Sequence, residues 1–79
     1  MQKHSKVYLK YFGYGQDDII PCEVCGCNAV DIHHIYGRIG HFANDISNIM
    51  ALCRQDHDKA HNGTYTKKYL LELHLSKLL

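Results

Sequence analysis

The stretch Asp31–His61, DIHHIYGRIGHFANDISNIMALCRQDHDKAH, decides how this chain is read. His33 and His34 stand side by side near its start, Asn48 falls in its middle, and His57 and His61 close it four residues apart. On a helix an i, i+4 pair lies on one face, one turn apart, so the spacing predicts that His57 and His61 present their imidazoles together. Two helical histidines facing one or two more on a strand suffice to hold one divalent ion with positions left for water or substrate. A structural zinc closes all four positions, so an open donor set points to chemistry.

Ahead of this stretch, Ile19-Ile20-Pro21-Cys22-Glu23-Val24-Cys25-Gly26 reads as a zinc knuckle. In C-x2-C followed by Gly the chain can reverse while backbone amides turn toward two thiolates. Two buried free thiols are the plainer reading, and the glycine just after the pair argues against it. A redox C-x2-C wants a helix N-terminus within a βαβ unit, which nothing here suggests. Cys53 is the natural third ligand.

Taken in order, Cys22-x2-Cys25, His33-His34, Asn48-Ile49, Leu52-Cys53, His57 and His61 resemble the HNH endonuclease motif of the ββα-metal (His-Me finger) nucleases, over about half the chain. A lone His-x3-His is common by chance, whereas the full series is specific. The resemblance implies an α+β fold: a small ββα-metal core with a zinc knuckle and flanking N- and C-terminal helices. It implies metal-dependent hydrolysis of phosphodiester bonds in DNA, with RNA left open. By the same resemblance His34 matches the general base, His33, His57 and His61 match ligands of the catalytic ion, and Asn48 matches the residue that orients the base and braces the loop. Short chains with this motif resemble phage-encoded or mobile-element proteins.

In zinc-bearing relatives Cys53 would open a C-x2-C-H series, but this chain reads Cys53-Arg54-Gln55-Asp56-His57. Asp56 falls where the second cysteine would stand. The fourth ligand of a structural Zn²⁺ is then Asp56, Cys27 or His57, with Asp56 preferred to Cys27. An all-histidine catalytic set favours Zn²⁺, Ni²⁺, Co²⁺ or Mn²⁺ over Mg²⁺, which would rely on water and phosphate oxygens for most of its positions.

The 79 residues predict a single domain, 1–79, with its motif core at 22–61. So small a domain buries little, and four Cys and seven His are its obvious reinforcement. The polar segment Met1–Lys10 is not a signal peptide and no window suits a membrane span, so thiols or metal ligands in a reducing cytoplasm are expected. A formal charge of +1 does not by itself suggest a nucleic-acid partner. Yet Lys3, Lys6 and Lys10 cluster early, and Arg38, Arg54, Lys59, Lys67 and Lys68 surround or follow the motif. A solvated face explains such a distribution as readily as phosphate contact by Arg38 or Arg54.

The pattern predicts a helix over about 3–13 with Val7 and Tyr11 on one face and Tyr8 and Phe12 beside them, ended at Gly13. A strand is expected over 29–36, a loop from Gly37 to Asn48 with a solvated His41, and a strand over 46–52. A helix at 54–62 follows, stopped by Asn62-Gly63. A last helix at 66–79 turns Leu71, Leu75, Leu78 and Leu79 inward, with Leu70 beside them, and its leucine-rich end would equally serve a homodimer. A regular strand sends His33 and His34 to opposite faces, so one site for both requires a strand end or a twist. The competing class of function is a non-catalytic, zinc-stapled module that binds nucleic acid or protein.

Overall fold

The computed structural model describes residues 3–38, 40 and 42–79, so the expectation for His41 lies outside the described residues. Helix α1 (Lys3–Phe12) comes first. It ends because Gly13 takes φ +76°, a left-handed conformation that side chains other than glycine's disfavour. Its inward residues are His4 and Tyr8, an i, i+4 pair one step round from the expected Val7 and Tyr11. Tyr11 is half exposed, and its hydroxyl donates to the Leu78 carbonyl at 2.8 Å. The helix therefore buries two aromatic rings that each have a polar end to satisfy.

The knuckle follows as a tight hairpin. Cys22 N–H donates to Cys27 O at 2.6 Å and Gly26 N–H to Cys22 O at 2.9 Å, with Gly26 at φ +82° where a Cβ would be strained. Strand β1 (Asp31–His34) then pairs antiparallel with β2 (Ile49–Leu52), Asp31 opposite Leu52 and His34 opposite Ile49. On the other side of β2 the knuckle adds a backbone bond, Glu23 N–H to Ala51 O, while Val30, just ahead of β1, donates its N–H to Leu52 O on the β1 side, both at 3.0 Å. Both strands are shorter than their apolar runs. The run from Ile46 spends its first three residues in a 3-10 turn, Ile46–Asn48, closed by Asn48 N–H on Asp45 O.

Every residue of β2 is fully enclosed. Strand residues alternate between faces, and here each face has its own small core. Met50 and Leu52 pack with Cys22, Ile35 and Leu70, while Ile49 and Ala51 pack with Tyr8. Helix α2 (Arg54–His61) lies along β1 and β2, and α3 (Lys67–Leu78) packs against the 3-10 turn. Thr66 caps α3 by accepting from Tyr69 N–H at 3.0 Å.

The inward face of α3 differs from the leucine face expected above. Leu70 and His74 are buried, Leu71 and Leu78 only partly so, and Leu75 is 41% exposed. The displacement follows from a polar anchor. His74 Nδ1 donates to Glu23 Oε1 at 2.7 Å and its Nε2 donates to the Ile46 carbonyl, while Glu23 Oε2 accepts from the Tyr8 hydroxyl at 2.7 Å. Both partners of the imidazole are oxygen acceptors, which favours its protonated form. A buried ion pair that ties α1, the knuckle and α3 together outweighs the apolar pattern in choosing the face.

Candidate functional site

Alternation along β1 sorts its side chains. Ile32 and His34 turn toward α1, whereas Asp31 and His33 turn toward α2. On the α2 side His33, His57 and His61 converge: one ring nitrogen from each lies within 4.8 Å of the others. The i, i+4 pair brings His57 Nε2 to 3.0 Å from His61 Nε2, and the His33 ring stands edge-on to both, centroids 5.1 and 5.2 Å away. Asp31 Oδ2 holds His57 Nδ1 at 2.9 Å and receives Arg54 Nη1 at 3.4 Å. Asp31, not singled out from the sequence, could have been found by its i, i+2 relation to His33. Arg54 thus has a carboxylate partner.

Burial first, then the neighbouring His57, His61 and His34, pull the His33 pKa down to about 4. His33 therefore stays neutral with a lone pair available, the state in which histidine binds a metal. Two nitrogens sharing one ion at about 2.0–2.1 Å each are separated by roughly 3 Å, which the His57–His61 distance matches. The donor set therefore fits a divalent ion of the first transition row.

A second donor set lies at the knuckle. Sulfurs of Cys22, Cys25 and Cys53 and a carboxylate oxygen of Asp56 all lie within 4.8 Å of one another. Cys25 and Cys53 sulfurs are 3.7 Å apart, and Asp56 Oδ2 is 3.2 Å from both Cys22 and Cys53. Two thiolates at about 2.3 Å from one tetrahedral ion would be separated by roughly 3.7–3.8 Å, so this set fits zinc. Of the three residues weighed for the fourth position, Asp56 stands among the sulfurs, Cys27 is not in the group, and His57 belongs to the histidine set. Burial alone would raise the Asp56 pKa; hydrogen bonds from Cys25, Cys22, Cys53 and Tyr65 outweigh it and lower it to about 2. Tyr65 donates to its outer oxygen, Oδ1, at 3.0 Å. Adjacent residues of α2, Asp56 and His57, thus serve different clusters.

His34, the last residue of β1, faces away from the histidine triad yet shares a cleft with it. His33, His34, Tyr36, Gly37, His61 and Lys67 line a hollow of about 280 Å³ where β1 ends. Edge-on against His34 lies the ring of His4, centroids 4.8 Å apart, while Asn44 Oδ1 is 3.3 Å from His34 Nε2 and Nδ1 has no hydrogen-bond partner among the described residues. Burial lowers the His34 pKa, the Asn44 contact opposes this, and Arg38 adds to it. His4 is lowered by burial, His34 and Arg38. Arg38 is thus felt at His34 and His4 through its charge. Neither His4 nor Asn44 could have been found by spacing, since both lie outside the motif's regular positions.

Asn48 has every side-chain direction committed. Its Oδ1 accepts from Tyr36 N–H at 2.8 Å, and its Nδ2 donates to the carbonyls of Gly37 at 3.1 Å and Ala43 at 3.0 Å. It clamps both ends of the loop that follows β1. No helix among the described residues is long and apolar enough to cross a membrane.

Compared with known proteins, residues 22–63, just over half the chain, match the family model described as HNH endonuclease. Searches of curated proteins and of solved structures returned no match. The matched segment contains both donor sets, β1, β2 and α2, and leaves α1 and α3 outside.

Proposed function

The chain belongs to the HNH endonuclease family, and from that membership we propose that it is a metal-dependent endonuclease cutting phosphodiester bonds in DNA. The observation that carries this reading is the presence of two separate donor sets, one of sulfurs and one of histidines. A zinc-stapled binding module needs only the first. An all-nitrogen set beside a cleft serves no structural end that the sulfur set does not already serve.

On this reading Cys22, Cys25, Cys53 and Asp56 hold a structural zinc, and His33, His57 and His61 hold the catalytic ion. When bound there, a divalent ion supplies positive charge against the oxygens of the scissile phosphate and the departing oxygen. His34, neutral near pH 7 because burial lowers its pKa, takes a proton from the attacking water as that oxygen bonds to phosphorus. The bond from phosphorus to the departing oxygen breaks in the same displacement. Asn48 holds the β1 end and the following loop in register, Asp31 orients His57, and His4 and Asn44 fix the plane of the His34 ring. Flanking helices and motif then work as one unit of 79 residues.

A plasmid-nicking assay with Mn²⁺, Ni²⁺, Co²⁺, Zn²⁺ and Mg²⁺ tests this. Cleavage that a chelator abolishes and added ion restores is expected. If no nucleic acid, DNA or RNA, is cut with any of these ions, the binding-module reading replaces it.

A further inference from the structure

Lys67 opens α3 and lines the same cleft as His33, His34 and His61, beyond the segment that matches the family. Packing and pairing do not explain it. Among the described residues the carboxylate ion pairs go to Arg54, His57 and His74, and none to Lys67. With Lys68 it puts two cations in the first turn of α3, which has no acidic residue. Free N–H groups already make a helix start electropositive, so cations there cost stability and anions are favoured. Its ammonium stands 5.6 Å from the centroid of the Tyr36 ring, which is itself half exposed on the cleft's rim. An aromatic face steadies an ammonium while leaving its N–H groups for another acceptor. His33, His34 and His61 line the hollow with Lys67, and His34 is more than nine-tenths buried, with Nδ1 unpartnered among the described residues.

We infer that Lys67, steadied by Tyr36, forms a phosphate subsite of this cleft. Its ammonium takes a non-bridging oxygen of the nucleic-acid strand passing His33, His34 and His61. The inference rests on the nuclease reading for its substrate and adds a residue that the motif does not contain.

Binding of a labelled DNA oligonucleotide, single-stranded and duplex, to His34→Ala protein tests it without cutting the strand. Lys67→Gln in that background is expected to weaken binding roughly five- to tenfold near about 0.1 M salt. The slope of log affinity against log salt should shrink by about 0.7 on the single strand and about 0.9 on the duplex. Lys67→Arg should restore both, and Tyr36→Leu should cost roughly two- to fivefold in affinity at an unchanged slope. Lys77→Gln, beside the knuckle on another face, should change neither. If Lys67→Gln keeps the affinity and slope of its parent while the wild-type protein cuts, the subsite is wrong and the nuclease reading stands. Should the slope depend on Lys67 in a wild-type protein that does not cut, the subsite stands and the nuclease reading alone fails. A wild-type protein that neither binds nor cuts nucleic acid overturns both.

Discussion

Asp31 Oδ2 stands 2.9 Å behind Nδ1 of His57 and thereby aims Nε2 of that ring at His61 and His33. A carboxylate in this position fixes the tautomer of a ligating imidazole and strengthens it as a donor. Asp31→Ala is expected to weaken divalent-ion binding at the histidine set about 10- to 100-fold. Co²⁺ titration followed by visible absorption measures this in zinc-loaded protein. An unchanged affinity removes Asp31 from the site.

His34→Ala should lower cleavage about 10²- to 10⁴-fold while metal content and melting temperature hold, because a base touches the water and not the ion. His57→Ala should lose activity together with the second ion. Metal analysis beside single-turnover rates separates the two. A His34→Ala protein that cuts as fast as wild type with every ion tried refutes the assignment of the base.

At the knuckle, Cys22→Ser is expected to leave the chain unfolded, since the binding energy of a structural zinc in so small a domain is largely folding energy. Circular dichroism and zinc analysis report it. Full zinc with an unaltered melting temperature would show that the sulfur set is not a staple. Asp56→Cys, by contrast, should stay folded with zinc bound, as it completes a four-sulfur set.

For α3 the buried residue decides. Leu70→Ala should cost about 2–5 kcal/mol, whereas Leu75→Ala, at a 41% exposed position, should stay within about 0.5 kcal/mol. Urea melts of both variants give the comparison. Equal losses would contradict the inward face described here.

The His74–Glu23 pair carries a pH signature. Burial alone lowers the His74 pKa, but the bond to Glu23, the Ile46 carbonyl and the charge of Glu23 together raise it above 6.5. A group raised by folding adds stability that is complete below about 6.5 and is lost as pH climbs through its folded value. The melting-temperature advantage of wild type over His74→Gln should therefore shrink as pH rises above neutral. An advantage that grows with pH would mean the ring is neutral in the folded protein.

Much of this architecture is legible in the sequence. The i, i+4 histidines and the C-x2-C-Gly turn each follow from a local rule, and each lies where its rule puts it, whereas Asn48 is marked out only by the resemblance. Asp56 was legible as a departure from a pattern, and its place among the sulfurs is a geometric fact that spacing alone left open between three residues. What stayed hidden was non-local. His74 reads as an interruption in a leucine face, and only the approach of Glu23, 51 residues away in sequence, makes it the inward residue. His4 and Asn44 reach His34 from α1 and from a loop, through contacts that no periodicity encodes. Lys67 looks like an ordinary solvated lysine until the end of β1 is set beside it.

Asp56 and His57 are neighbours on α2, turned about 100° apart, each belonging to a different cluster. With an ion in each set, as proposed above, metal loading is hierarchical. An ion drawn to the sulfurs anchors the first turn of α2, and only an anchored turn can offer His57 and His61 to a second ion. Stripping the knuckle should therefore empty both centres, while stripping the histidines should empty one. On the proposed reading, a chain made without zinc is inert as well as unstable, and its nuclease activity is gated by the supply of an ion that takes no part in the cut.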